Sequence, residues 1–317
     1  MTPTPPAEQR TAGGLYAFGA YALWGFLPLY FVLLAPIGPF EIVAWRILLS
    51  LVFCAILIAV TRSWRRLVAI LRQPRLVGLT VLAGLLIYVN WQVYLVGALT
   101  GHVIETSLGY FINPIVTVLL GVLLLRERLR IAQWVAISLA AAAVVVIVVG
   151  YGAFPWIALS LAFSFAFYGL VKKKIGPSVD AVSGLTLESL WLAPVAIVQL
   201  AVVAALGGLA FTSVGTGKLL LLACAGVATA VPLLLFASAA RRASLTTLGI
   251  MQFVAPVLQF IIGVWLLGEQ MTLGRWIGFA IVWVALVILT VDSVIAARAA
   301  RRTRREASRV PDVPDLV

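Results

Sequence analysis

One stretch, residues 99–134, is apolar enough to cross a bilayer yet contains a carboxylate, an imidazole, an amide and a proline. Successive residues of a helix turn by about 100°, so the polar side chains of this stretch collect in one stripe. The stripe contains His102, Glu105, Thr106, Gly109, Asn113 and Thr117. Because such groups are costly against lipid, we expect the stripe to face the protein interior or a water-filled cavity. The alternative is a polar seam that only joins helices.

Glu105 is the residue of this stripe that we expect to carry charge in a binding site. A carboxylate at membrane depth can meet a cationic group of a ligand or carry a coupling proton. His102 lies one turn away on the same face, and it is the one histidine of the chain. A metal centre or a catalytic triad built on histidine therefore has little support, so we do not expect an enzyme and expect no metal or cofactor.

Neighbouring apolar runs add groups that can orient or enclose a ligand. Asn90 and Tyr94 share a helix face, and Asn90 suits either a ligand contact or a hydrogen bond between helices. Trp24 lies near the middle of the first run, which the usual interfacial belt of tryptophan does not explain. The predicted substrate contacts are Trp24, Asn90, Trp91, Tyr94, His102, Glu105, Tyr110, Asn113 and Gln252.

Two prolines predict bent helices. Pro114 has no N–H and leaves the carbonyl of Tyr110 without its helical donor, and Pro256 does the same to Gln252. Interrupted helices at matching positions of two halves indicate the binding site of many transporters. We therefore expect both prolines to shape the site.

Two charged residues lie deep in other apolar runs. Arg46 lies about 10 Å along its helix from the nearer end, at about 1.5 Å per residue, and a deep arginine requires a partner or water. Glu188 lies 142 residues later, at a corresponding position. We predict that Arg46 and Glu188 form a structural or gating pair. Glu41, nearer the end of the same run as Arg46, is most simply solvated.

The composition is that of a polytopic membrane protein. The chain has 317 residues, of which 63% are hydrophobic and 11% charged, with a mean hydropathy of +1.12. Soluble domains are about half apolar and about a quarter charged. A spanning helix needs about 20 apolar residues, and the sequence offers about ten such runs. They are 13–35, 39–60, 76–98, 103–125, 131–150, 155–171, 180–206, 218–240, 245–267 and 273–295.

The charge pattern excludes nucleic acid as the explanation of the net charge of +12. Lysine and arginine cluster in alternate connections: 62–75, 126–130, 172–174, 241–242 and the tail 298–309. The connections 36–38, 99–102 and 151–154 contain none. This positive-inside pattern predicts that both termini are cytoplasmic. Cys54 and Cys224 both lie within apolar runs, where lone thiols are usually small core residues.

The second half repeats the first with a shift of 142 residues. This shift places Phe111 on Phe253 and Pro114 on Pro256. With five helices in each repeat, an odd number, the halves must cross the membrane in opposite senses, as in many secondary transporters. The predicted fold is all-α, with ten transmembrane helices in two inverted five-helix repeats. The segments are a cytoplasmic 1–12, the repeats 13–150 and 155–295, and a basic cytoplasmic tail, 296–317.

The stretch Asn90-Trp91-Gln92-Val93-Tyr94, followed by 101–114 and by Leu125-Arg-Glu-Arg128, resembles the RarD branch of the EamA-type permeases. These proteins belong to the drug/metabolite transporter superfamily, and the resemblance covers 13–295. It implies ten helices in two inverted halves and a multi-pass protein of the bacterial inner membrane. It also implies a carrier whose superfamily relatives export amino acids and other metabolites. The family motif maps onto Asn90, Trp91, His102, Glu105, Tyr110, Asn113 and Pro114.

We therefore expect a secondary active transporter that works by alternating access between its repeats. Its expected partners are the lipid bilayer and a small-molecule substrate, with amino acids and drug-like aromatic compounds as candidates. Glu105 is expected either to meet a cationic group of the substrate or to carry a coupling proton. A facilitative channel and an intramembrane enzyme are the alternatives. A channel usually needs a continuous polar pore or several subunits, and the inverted halves favour a carrier over it.

Overall fold

The computed structural model describes residues 7–125, 129–151, 154–176, 178–243 and 245–307, and the regular structure of these residues is helical. Nine of the helices formed by them are long and apolar enough to cross a membrane. Large apolar side chains such as Val60, Val149 and Leu206 stay exposed on their outer faces. Exposed apolar surface of this kind is suited to contact with lipid. The prediction of an all-α, multi-pass membrane protein is confirmed.

The helices follow one another through short connections. In chain order they are α1 (Ala7–Leu33), α2 (Pro39–Thr61), α3 (Trp64–Leu71), α4 (Pro74–Leu99), α5 (Val103–Leu125), α6 (Ile131–Tyr151), α7 (Trp156–Ile175), α8 (Ala181–Gly207), α9 (Thr216–Ala223), α10 (Ala225–Arg242), α11 (Leu245–Met251), α12 (Val254–Ile261) and α13 (Leu273–Ala307). A 3₁₀ turn (Ala210–Thr212) precedes α9, and a π-helical turn (Ile262–Leu266) follows α12. Most of the predicted apolar runs match these helices to within a few residues.

Local sequence signals explain where several helices begin. Pro39 and Pro74 stand in the first turns of α2 and α4, where the missing N–H leaves no helical bond unmade. Asp180 precedes α8, and its Oδ1 accepts hydrogen bonds from the backbone N–H groups of Val182 (3.1 Å) and Ser183 (3.0 Å). Such a cap satisfies donors that the first turn of a helix cannot satisfy itself.

The predicted run 245–267 is not one helix. It is divided into α11, α12 and the π-helical turn, with the first break at Gln252 and Phe253. Pro256 explains that break, because its ring removes the hydrogen bond to the carbonyl of Gln252. Pro114 has a smaller effect, since α5 continues through it without interruption.

The core forms between the first and second halves of the chain. α6 packs along α13, α2 along α8, α4 and α5 along α7, and α1 along α10 and α12. Glycine permits the closest approaches: a Cβ at Gly226 would lie 2.5 Å from the carbonyl oxygen of Leu49, and one at Gly109 would lie 2.7 Å from that of Ala158. A larger residue at either position would push two helices apart.

The basic connection 62–75 contains a helix that the sequence analysis does not anticipate. In α3, Leu67 and Ile70 are buried beside Ile58, whereas Arg65 and Arg66 are exposed. The segment is therefore an amphipathic helix joined to the bundle by its apolar face. The basic residues Arg126 and Arg128 lie outside the described residues, as do Glu127 and the tail beyond 307.

Candidate functional site

A polar cluster joins three helices near the middle of the bundle, and Asn90 of α4 is its hub. The Nδ2 of Asn90 donates to the carbonyl of Leu161 (3.2 Å) and to Ser164 Oγ (3.1 Å), both on α7. Its Oδ1 accepts from the hydroxyl of Tyr110 on α5 (3.1 Å). Asn90 is 1% exposed. Of the two uses predicted for Asn90, the structure contains the hydrogen bond between helices.

Asn113 has a similar position one layer further along α5. Its Nδ2 donates to the carbonyl of Ala162 on α7 at 3.0 Å. Its own backbone carbonyl accepts from Thr117 Oγ1 at 2.9 Å. Together with Tyr110, Asn113 joins α5 to the adjoining helices. Pro114 follows Asn113 directly and therefore lies in the part of α5 that makes these polar contacts.

Arg46 of α2 lies against this cluster. Its Nε donates to Thr229 Oγ1 of α10 at 2.7 Å. The guanidinium carbon stands 4.2 Å from the ring centre of Trp91 and 5.6 Å from that of Phe31. Stacking on an aromatic face suits a planar guanidinium, which is more weakly hydrated than an ammonium. Trp91 thus lies beside a charged group rather than in a purely apolar wall.

Tyr94 completes the aromatic side of the cluster. Its ring lies 6.2 Å from Phe31 and 5.8 Å from Tyr110, and Tyr110 lies 5.9 Å from Phe165. Tyr94 is 3% exposed, and its buried hydroxyl has no hydrogen-bond partner among the described residues. The structure therefore brings four of the predicted contacts together: Asn90, Trp91, Tyr94 and Tyr110.

Glu105 lies apart from this cluster, at the end of the bundle that carries the connections 36–38 and 99–102. We name this the outer end, and we name the opposite one, with connections 62–73 and 176–180, the basic end. Glu105 Oε1 accepts the backbone N–H groups of Ile157 (3.0 Å) and Ala158 (3.4 Å). These belong to the first turn of α7, whose dipole favours a negative charge there.

His102 and Glu105 line a cavity of 190 Å³ at the outer end. Phe154, Trp156 and Arg275 line it as well. A ring nitrogen of His102, Nδ1, is 3.0 Å from Thr100 Oγ1. The cavity thus combines a carboxylate, an imidazole and a guanidinium with aromatic walls. Within the described ranges, no group of three or more His, Cys, Asp or Glu residues is arranged to hold a metal.

Two further carboxylates at the outer end bind backbone N–H groups, and the sequence analysis assigns neither of them this role. Glu269 accepts from Val103 N–H (2.5 Å) and Ile104 N–H (2.9 Å) at the start of α5. Glu41 accepts from the N–H groups of residues 210 (3.0 Å) and 211 (2.9 Å). The expectation that Glu41 is solvated is wrong, because it is 2% exposed.

The predicted pair of Arg46 and Glu188 is not formed. Glu188 instead binds Lys172 Nζ at 2.7 Å and the hydroxyl of Tyr168 at 3.1 Å, both on α7. Arg46 and Glu188 are each the eighth residue of their helices, but α2 begins at the outer end and α8 at the basic end, so the two charges lie at different depths in the bundle. The sequence did not indicate Lys172 as the partner of Glu188, because Lys172 belongs to a run of three lysines that is typical of an ordinary basic connection.

Trp24 and Gln252 lie on the α1–α12 side of the bundle. The ring of Trp24 packs edge-on against Tyr21 at 5.3 Å and lies 5.9 Å from Phe236. Its backbone carbonyl accepts from Gln259 Nε2 at 3.2 Å. Gln252 stands at the break before α12, created by Pro256. Trp24 has no described contact with the Asn90 cluster.

Comparison with known proteins identifies the family to which this chain belongs. The profile of the EamA-like transporter family matches residues 11–149 and, a second time, residues 155–291. The chain belongs to the EamA-like transporter family. It is therefore a membrane transporter. The two EamA-like matches are the first and second halves of the chain, whose helices pack against each other as described above.

Curated relatives narrow the EamA-like assignment. The chain is 48% identical over 291 residues to "Protein RarD" of Streptomyces exfoliatus, covering 92% of this chain and 91% of that protein. It is 39% identical over 295 residues to "Protein RarD" of Escherichia coli, covering 92% and 98%. It is also 39% identical over 290 residues to "Uncharacterized transporter YojE" of Bacillus subtilis, covering 90% and 96%. The predicted resemblance to the RarD branch is confirmed.

A solved crystal structure shares the fold of this EamA-like chain. It is 20% identical, covers 89% of this chain and 98% of its own length, and superposes with a TM-score of 0.57. The likeness concerns the course of the helices.

Proposed function

We propose that the protein is a secondary active transporter of a small metabolite, working by alternating access between two inverted five-helix halves. The halves are 13–150 and 155–295, in a bacterial inner membrane with both termini cytoplasmic. The substrate classes that we consider are amino acids and drug-like aromatic compounds. No cofactor is needed in this scheme, since a proton gradient supplies the energy.

The helix boundaries support the repeat. α2 begins at 39 and α8 at 181, α4 at 74 and α9 at 216, α5 at 103 and α11 at 245, and α6 at 131 and α13 at 273. Each second number exceeds the first by 142. The packing has the same symmetry. The shift relates α1 to α7 and α4 to α9 and α10, and α1 packs on α10 just as α4 packs on α7. An odd number of helices per half gives the two halves opposite senses.

The observation that carries the proposal is a reciprocal contact between the halves at the outer end. Glu105 of the first half binds the start of α7, in the second half, whereas Glu269 of the second half binds the start of α5, in the first. Each carboxylate holds a helix by its backbone, so movement of that helix away from the other half breaks the contact. Movement of one half against the other around a fixed site is what alternating access requires.

The same contact provides a means of proton coupling. An ionised Glu105 accepts two N–H groups and complements the dipole of α7. A protonated carboxyl loses the charge and with it most of that attraction. Protonation from the outer side therefore favours separation of the halves there, and deprotonation favours closure. Glu105 is a coupling residue in this scheme, and the polar cluster around Asn90 is the substrate site.

The test is uptake of labelled amino acids and aromatic metabolites by the purified protein in liposomes, with and without an imposed pH gradient. Wild type is expected to accumulate substrate in response to the gradient. Glu105→Gln keeps an acceptor oxygen but cannot be charged, so we expect it to insert and fold yet lose gradient-driven accumulation. Asp180→Asn, which removes the charge of a carboxylate at the basic end whose hydrogen bonds lie within its own half, is the matched control and should keep accumulation.

Two results would contradict the proposal. Accumulation with unchanged pH dependence in Glu105→Gln would remove Glu105 from the coupling mechanism. Flux that does not saturate, and that is not accelerated by substrate on the far side, would indicate a channel instead of a carrier.

A further inference from the structure

Arg46 is a buried cation without a buried anion beside it. It is 4% exposed, and the residues described here give it no ion pair, since the two ion pairs among them join Arg130 to Asp292 and Lys172 to Glu188. Its described neighbours are the hydroxyl of Thr229 and the rings of Trp91 and Phe31, none of which is anionic. A buried charge that lacks a counter-charge is costly, and within a membrane protein it usually marks a function.

The hydrogen bonds of Arg46 leave one edge of the guanidinium unused. Thr229 takes Nε, Trp91 covers a face of the plane, and no acceptor for Nη1 or Nη2 occurs in the described part of the chain. The hydroxyl of Tyr94 is buried in the same aromatic cluster and is likewise unpartnered there. Buried polar groups in native proteins are nearly always satisfied, so these groups call for a partner from outside the chain.

What remains free in the cluster is a set of donors. Both N–H groups of the Asn90 amide donate to α7 and its oxygen accepts from Tyr110, so Asn90 has little remaining capacity to hydrogen-bond a ligand. Arg46 can only donate, and Tyr94 is able to donate. A group that fits must therefore accept several hydrogen bonds at once and carry negative charge. The two Nη groups of an arginine form a fork that matches the two oxygens of a carboxylate.

We propose that Arg46, assisted by the hydroxyl of Tyr94, binds the carboxylate of the transported metabolite. This rests on the proposed transport function and specifies its substrate class. The rings of Trp91 and Phe31 lie against the guanidinium, and Phe31 adjoins Tyr94, so these rings are suited to an apolar or aromatic remainder. Because no described carboxylate stands near Arg46 to receive an ammonium group, the site prefers acids without a charged amine over amino acids.

The test measures binding directly, so that it does not depend on transport. Purified protein in detergent is titrated with phenylacetate, phenylacetamide, phenethylamine and L-phenylalanine, and the thermal midpoint is followed at constant pH and ionic strength. Phenylacetate is expected to stabilise the wild type, with L-phenylalanine weaker and the amide and the amine without effect. Arg46→Gln should weaken phenylacetate binding roughly tenfold to a hundredfold, as expected for loss of hydrogen bonds between charged groups.

Conservative variants keep the test decisive if Arg46→Gln does not fold. Arg46→Lys retains the charge but not the fork and should bind phenylacetate with intermediate affinity. Tyr94→Phe removes one donor and should weaken binding less than Arg46→Gln. Arg75→Gln removes an exposed arginine at the start of α4 and should bind as the wild type does.

The outcomes separate this inference from the proposal of transport. Equal stabilisation by phenylacetate and phenylacetamide, no stabilisation by phenylacetate, or unchanged binding in Arg46→Lys and Tyr94→Phe would overturn the carboxylate site. If liposomes show gradient-driven uptake of other substrates at the same time, the carrier proposal stands without it. If phenylacetate binds through Arg46 but liposomes accumulate nothing, the carboxylate site stands and the carrier proposal fails.

Discussion

The two ends of the molecule hold the halves together in different ways. At the outer end, Glu41, Glu105 and Glu269 each accept two backbone N–H groups from the opposite half. At the basic end, the one ion pair described between the halves is Arg130 with Asp292, at 2.5 Å, and 46% of the Arg130 side chain is exposed.

This difference concerns how easily the polar contacts at each end can be broken. A carboxylate bound to the first turn of a helix cannot leave without moving the helix or losing charge-assisted hydrogen bonds. Two long side chains at the surface can separate by rotation about their own bonds, at little cost. Among the described polar contacts between the halves, those at the outer end are therefore the firmer, whereas at the basic end a buried apolar cluster that includes Ile58, Ile175 and Leu187 also joins the halves.

The strongest way to disturb this asymmetry is Glu269→Ala. It removes both acceptors from the start of α5, and hydrogen bonds to charged groups contribute about 1.5–3 kcal/mol each. We expect a lower midpoint of thermal unfolding and faster amide hydrogen exchange at Val103 and Ile104, both measured in the same detergent micelles as for the wild type. Gln270→Ala, at an exposed neighbouring position, is the control. Unchanged exchange at both amides in Glu269→Ala would show that the carboxylate does not hold α5.

Asp180, a carboxylate at the basic end whose hydrogen bonds lie within its own half, sharpens the comparison. Burial opposes ionisation of Asp180, but hydrogen bonds from Ser183 and Val182, with the charge of Arg66, lower its pKa below the ordinary value of 3.8. Because the folded pKa lies below the unfolded one, the stabilisation is complete above about pH 4 and is lost as the pH falls through the folded pKa.

Asp180→Ala tests that cap. At pH 7 we expect a loss of about 1 kcal/mol, the usual value for an N-cap, without a change at the outer end. The thermal midpoints of wild type and variant should converge in acid, below the folded pKa. Asp180→Asn, which keeps a capping side chain without the charge, should lose less. A difference between wild type and Asp180→Ala that stays constant down to acid pH would contradict the charged cap.

The helices were largely predictable from the sequence because each apolar run carries its own length and boundaries. The run 103–125 coincides with α5, and Pro256 predicts the break at Gln252. α3 was missed because eight residues with two arginines give no spanning signal, although the alternation of Leu67 and Ile70 with arginine is that of an amphipathic helix.

The site was less predictable because it depends on which helices meet. The motif identified Asn90, Trp91 and Tyr110, which do lie together. Spacing on one helix placed Glu105 with Asn113, but the tertiary structure assigns Glu105 to the start of α7 and Asn113 to the carbonyl of Ala162. The partner of Glu188 could not be chosen from the shift of 142 residues that relates it to Arg46, because its contacts with Lys172 and Tyr168 depend on how α8 packs against α7.

The smallest expected effect comes from Arg130→Gln, which removes the described ion pair between the halves at the basic end. Exposed pairs contribute about 0–1 kcal/mol and weaken as salt rises. We expect a fall in thermal midpoint that is near the limit of detection at low salt and absent at high salt. Glu269→Ala should keep most of its effect at high salt, because its acceptors are backbone groups in a partly buried contact. If Arg130→Gln instead destabilised the protein as much as Glu269→Ala does, the polar contacts at the two ends would contribute equally to stability. The outer end would then not be the more firmly held end of this conformation.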